Sequence, residues 1–218
     1  MIRKLLFVVV VLTGVHLGAV GSAGDVLFVT NSATDTGDTP NVTKFDARGK
    51  PTIFATVGIG NPTGLAFDAA GDLYVANTAG NSVRKFSPPG VDLGNFATTG
   101  LNFPQGLAFD GTGNLYVANS GNDTVRKFSP TGIDLGNFAT TGLNSPDGLA
   151  FDSAGNLYVT NADNTVNTIR KFSPAGVDLG NFASTALDLP TGLAFDAAAT
   201  CTCPITKPLI FASFQQRG

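Results

Sequence analysis

The chain has few side chains capable of catalysis. Of its 218 residues one is histidine, none is glutamate or tryptophan, and two are cysteines, Cys201 and Cys203. His16 lies in an N-terminal apolar segment with the features of an export leader, so the mature chain is expected to lack histidine. Ser-His-Asp and Cys-His arrangements and ordinary zinc sites need imidazole or clustered thiolates, and the composition excludes them. Cys201-Thr-Cys203 is a pair of ligands without the two others a zinc site needs. Asp, Lys and Tyr are left as acid–base groups, and no catalytic residue or metal ligand set is assigned among them. Polar residues that could meet a ligand include Asn77, Asn119, Asn161, Asp123 and Asp163. Carboxylate and amide oxygens of this kind can hold calcium, the one cofactor considered.

The elements that carry these residues recur. Segments 62–103, 104–145 and 146–189 align at lengths of 42, 42 and 44 residues. Each reads Pro-x-Gly-Leu-Ala-Phe-Asp, then Gly-Asn/Asp-Leu-Tyr-Val, then Arg-Lys-Phe-Ser-Pro, then Asp-Leu-Gly-Asn-Phe-Ala. A degenerate copy precedes them over 25–61, and a fourth opens at Pro190 and breaks down after Asp196. Each unit offers four short β-prone runs, at 64–67, 73–76, 83–86 and 93–97 in the first full copy. Asp68-Ala-Ala-Gly71 and Pro88-Pro89-Gly90 supply turn chemistry between them. Four strands per roughly 40–45 residues is the period of a propeller blade.

These repeated residues resemble the NHL-repeat family of β-propellers, over residues 25–196. The resemblance implies an all-β propeller of four-stranded blades, about four in this chain, as an open arc or a small ring. Closure would pair 192–195 beside 27–30. The family often has Asp after the Tyr-Val strand, where this chain has Asn77, Asn119 and Asn161. Such propellers serve as binding platforms, sensors, lactonases and lyases, so the resemblance specifies fold more than function. It places the loops between second and third strands, residues 32–41, 78–82, 120–124 and 162–168, on the face where ligands usually bind. These loops vary in length and composition, which singles out Asp123 and Asp163. Asp68, Asp110 and Asp152 recur at one turn and read as structural. The Arg84-Lys85, Arg126-Lys127 and Arg170-Lys171 pairs read as edge guards or contacts between blades.

Residues 1–23 form the expected leader: basic Arg3 and Lys4, an unbroken apolar run from Leu5 to Leu12, then small residues to Ala23. The run is well short of the roughly 20 residues of a membrane span. With Arg3 and Lys4 removed, the 13 basic residues fall to 11 against 16 Asp, a net charge of −5. That balance disfavours nucleic acid and anionic membranes. A secreted or periplasmic location follows, with a protein, peptide or glycan as partner.

After Asp196 the repeat should continue Ala-Ala-Gly-Asn-Leu-Tyr-Val-x-Asn, but the chain reads Ala-Ala-Ala-Thr-Cys-Thr-Cys-Pro. Deleting one G from GCC GCC GGC AAC CTG TAC GTG TCC AAT produces that change. The displaced frame can also hide an Ile-Arg-Lys-Phe-Ser strand at the repeat's own spacing. Residues 199–218 therefore read as an out-of-frame tail. The expected function is a binding or interaction module. The alternatives are a calcium-dependent lactonase- or lyase-like propeller enzyme, whose family usually adds a Glu absent here, and a truncated product without function.

Overall fold

The computed structural model describes residues 9–12, 26–32, 39–163 and 165–195. Blade 1 comprises β1 (Val9–Leu12), β2 (Val26–Asn31), β3 (Asn41–Phe45) and β4 (Pro51–Ala55). Blade 2 comprises β5 (Pro62–Phe67), β6 (Leu73–Asn77), β7 (Ser82–Phe86) and β8 (Asp92–Ala97). Blade 3 has β9 (Pro104–Phe109), β10 (Leu115–Asn119), β11 (Thr124–Phe128) and β12 (Asp134–Ala139). Blade 4 has β13 (Pro146–Phe151), β14 (Leu157–Ala162), β15 (Asn167–Phe172) and β16 (Asp178–Ala183). Each blade is an antiparallel meander paired in sequence order.

Blade anatomy follows from the repeat. The second strand, Leu-Tyr-Val-Ala-Asn in blades 2 and 3, is buried along its whole length, because a neighbouring blade packs on each face. The fourth strand alternates between covered and exposed residues, with Ala97 and Ala139 buried at its end. Between blades the core is aromatic. Tyr74 meets Phe96 of its own blade at 4.8 Å and Phe109 of the next at 4.9 Å, both edge-on. Tyr116 with Phe138 and Phe151, and Tyr158 with Phe182 and Phe195, repeat the cluster. Each such ring pair adds about 0.5–1.5 kcal/mol beyond its buried area.

The recurring charges are structural. Arg84 donates to both carboxylate oxygens of Asp92, at 3.1 and 2.5 Å, and to Asn95 at 3.1 Å. Arg126 and Arg170 do the same with Asp134 and Asp178. The guanidinium also lies against the turn of the preceding blade, at Gly58 for Arg84. Lys85 pairs with Asp72 at 2.8 Å and sits over the Tyr74 ring. Asp68 ties its own turn, accepting from the Ala70 and Asp72 amides and from the Tyr74 hydroxyl. Burial pushes the Asp110 carboxyl up, but hydrogen bonds from Asn114 and Thr112 outweigh it and hold it well below the usual range.

The outer strands carry a bulge. Lys85 pairs with Gly94 and Phe86 with Asp92, so Leu93 is the extra residue. Gly94, Gly136 and Gly180 take φ of 88°, 87° and 91° there, with open space where a Cβ would stand. Val91, Leu93, Ile133, Leu135, Val177 and Leu179 around these bulges are exposed.

The arc is open. The inner place beside β2 is taken by β1, with Val9 opposite Val29 and Leu12 opposite Val26. Residues 190–195 instead run along blade 4: Thr191 O lies against Gly148, and the Phe195 ring packs on Tyr158 at 5.0 Å. The expected alternative of a small ring is therefore not formed. Cys201, Cys203 and the rest of the tail after Phe195 lie outside the described residues, as does most of the expected leader.

Candidate binding face

The connections between second and third strands do share a face with the Pro-x-Gly connections. The Thr78 amide donates to Asn61 O and the Ala79 amide to Gly60 O; Ser120 and Ala162 donate in the same way to Phe103 and Ser145.

On this face the three strand-end asparagines are inside the framework. Asn119 is fully buried; its Oδ1 accepts from the Asn102 amide at 2.6 Å, and its Nδ2 donates to Gly100 O at 3.0 Å and Thr124 Oγ1 at 3.2 Å. Asn77 reaches Gly60, Gly58 and Ser82, and Asn161 reaches Asn144, Gly142 and Thr168, in the same pattern. Each one braces the turn that enters its blade. Asp123, in the left-handed region at φ 52°, accepts from the Ser145 amide at 2.7 Å. Asn81 and Asn167 make the corresponding bonds to Phe103 and Leu189. Asp163 caps its own loop, accepting from the Thr165 amide at 2.7 Å and from the Thr165 hydroxyl. Among the described residues, no hydrogen bond joins one of these five residues to another of the five.

The oxygens of Asn77, Asn119, Asn161 and Asp123 face backbone amides of the turns that enter a blade, and that of Asp163 faces Thr165; no three His, Cys, Asp or Glu side chains cluster among the described residues.

The side chains left free to vary lie elsewhere on the face. The residue before each conserved proline is Asn61, Phe103, Ser145 and Leu189 in turn, all with φ between 45° and 54°. A left-handed bulky residue such as Phe103 or Leu189 is uncommon and is held by the amide bond just described. Phe103 is 54% exposed. The residue after the proline is Thr63, Gln105, Asp147 and Thr191. Thr63 is taken up by Thr78 and by the next blade's carbonyls. Gln105 and Asp147 are half-buried. Burial pushes the Asp147 carboxyl up to about 7. These two positions were visible in the sequence as the ones that change inside an otherwise fixed heptapeptide.

Comparison with known proteins agrees with this architecture. Residues 101–128 match the NHL repeat. That stretch of the third blade is similar to an NHL repeat, and the other units share its residues. No curated protein sequence matches the chain. Among solved structures, a chain of a nidogen/laminin complex is similar at 23% identity, covering 80% of this chain and 67% of that one, with a TM-score of 0.70. A protein assigned as a gluconolactonase matches at 17% identity, covering 78% of this chain and 63% of its own, with a TM-score of 0.63. A streptogramin B lyase matches at 16% identity, covering 79% and 56%, with a TM-score of 0.64. At these identities the likeness is one of fold, and this chain spans between about half and two thirds of each.

Proposed function

We propose that the chain is an exported binding module, secreted or periplasmic, that takes a protein, peptide or glycan on the face bearing Phe103, Gln105 and Asp147. One observation carries the reading. The asparagines common to the full units are taken up in bracing the fold, while on the face they share Phe103 is left exposed and Gln105 and Asp147 half-buried. An exposed aromatic held by a rigid turn beside amide and carboxyl groups is a recognition arrangement, since the ring loses little freedom on binding. The solved nidogen/laminin complex supports a protein partner by fold likeness. The lactonase and lyase likenesses keep hydrolysis as the competing outcome.

The test is a glycan array and a peptide library probed with the exported chain, beside lactone hydrolysis assayed with and without calcium. Saturable binding weakened about tenfold or more by Phe103→Ala is the expected result. Calcium-dependent turnover that Phe103→Ala leaves intact would replace this reading with the enzyme.

A further inference from the structure

The contact between blades is one interface made three times. The arriving blade contributes a Leu, a Val and a Phe: Leu73, Val75 and Phe86, then Leu115, Val117 and Phe128, then Leu157, Val159 and Phe172. All nine are at most 1% exposed. The blade before it contributes an Ala at the end of its fourth strand, Ala55, Ala97 or Ala139, at 6%, 5% and 5% exposed. The two ends of the arc present the same surfaces uncovered. On blade 1, Leu27 and Phe45 are only half-buried. On blade 4, Ala183 is half-buried and Phe182 is 43% exposed.

A second feature matches these ends to each other. The turns entering blades 2, 3 and 4 carry Gly58, Gly100 and Gly142, at φ 65°, 67° and 68°. A Cβ on any of them would fall far inside van der Waals distance of the guanidinium of Arg84, Arg126 or Arg170. The fourth turn has Ala186 at that place, φ 58°, exposed and carrying a Cβ. Blade 1 alone among the four has no arginine at the facing position; Thr43 stands there, opposite Val29 as Arg84 stands opposite Val75. The side chain added on one end is matched by the side chain removed from the other.

A third feature is the asparagine of blade 1, as its bonds run among the described residues. Asn31 corresponds to Asn77, Asn119 and Asn161, but it bonds within its own blade, to Asn41 at 2.8 Å and Thr43 at 2.9 Å.

We propose that copies of this chain associate head to tail, the outgoing end of blade 4 of one copy docking on the incoming end of blade 1 of another. Ala186 then packs on Thr43, and Phe182 and Phe195 extend the aromatic cluster over Leu27, Val29 and Phe45 of the second copy. Removal of the leader takes β1 away and frees the inner place beside β2 of the second copy for residues 190–195 of the first. The occupant is a second copy because the fitting surface already exists in this sequence three times over. Leu27 and Phe45 at one end and Phe182 at the other are left half-buried or exposed, so the chain's own ends do not cover each other. A contact between unlike surfaces closes into a ring where the rotation permits and otherwise runs on as a filament. The inference is independent of the ligand-binding reading, which concerns another face.

The test is sedimentation of the chain recovered from the exported fraction after expression of the full gene. The expected result is a dimer or larger species at micromolar concentration. Thr43→Arg puts a guanidinium against the Ala186 methyl and should weaken association about tenfold or more. Adding Ala186→Gly should restore it, while Ala186→Gly alone leaves assembly intact. Circular dichroism distinguishes lost assembly from lost fold in each variant. A monomer up to about 100 μM overturns the proposal. So does association that Thr43→Arg does not change, or that Ala186→Gly does not rescue.

Discussion

Replacing Asn119 with alanine tests whether the strand-end asparagines hold the blades together. The side chain makes three hydrogen bonds, to the Asn102 amide, Gly100 O and Thr124 Oγ1, at 2.6, 3.0 and 3.2 Å. A hydrogen bond of this kind contributes about 1 kcal/mol net, and a buried partner left unpaired adds to the loss. The Asn102 backbone is half-buried and recovers some hydration, which sets the expected loss at about 2–4 kcal/mol. Asn31→Ala is the internal control. It occupies the same place in blade 1, is half-buried and, among the described residues, bonds within its own blade, so its loss should stay near 1 kcal/mol. Urea unfolding followed by tyrosine fluorescence and far-ultraviolet circular dichroism reads the difference. With a slope of about 1–3 kcal/mol per molar, Asn119→Ala should lower the midpoint by roughly 1–2 M. A shift for Asn119→Ala no larger than for Asn31→Ala would refute the bracing role and return Asn119 to the set of candidate ligand contacts.

Other outcomes follow from the same geometry. Asp147 titrates at about 7 in the fold against an ordinary 3.8. Its neutral form is the favoured one, so its contribution is full below pH about 4 and is lost as the pH rises through 7. Asp147→Asn should therefore raise the melting temperature at pH 8 and leave it unchanged at pH 4; equal shifts at both would contradict this. Asp110, held below its ordinary value by Asn114 and Thr112, has the opposite sign. Asp110→Asn should destabilise near pH 7, with the deficit shrinking as the pH falls through 3.8 and below. Gly100→Ala introduces a Cβ against Arg126, whereas Gly136→Ala introduces one into open space at a similar positive φ. Thermal unfolding should show Gly100→Ala losing more, by about 1–3 kcal/mol.

Much of this fold was legible because repetition separates what a blade needs from what it tolerates. Phe86, Phe128 and Phe172 recur and are buried; Asp68, Asp110 and Asp152 recur and tie turns. The same logic applies to Asn77, Asn119 and Asn161, which also recur. Sequence reading set them on the ligand face because they adjoin variable loops, and their polarity hid an inward direction that only the entering turn explains. Phe103 and Asp147 were visible as departures from a fixed motif, but their exposure depends on how neighbouring inner strands approach. The partnership of β1 with β2 was not legible, because an apolar run of that length fits a leader and an inner strand equally well. The match of Ala186 with Thr43 lay in plain view as two substitutions. Their facing positions emerge only once each guanidinium is placed against the preceding turn.

The bulges at Gly94, Gly136 and Gly180 bear on how such a chain avoids aggregation. Each lies in the outermost strand of its blade, within an Asp-Leu-Gly-Asn-Phe-Ala segment whose leucine is exposed and which an exposed valine or isoleucine precedes. A flat strand of that composition is a template for edge-to-edge pairing and, copied three times in one molecule, for cross-β stacking. The left-handed glycine bends the edge out of register, and the aspartate beside it is locked to an arginine of its own blade. The safeguard lies inside the duplicated unit, so each added blade brings both the hazard and its remedy.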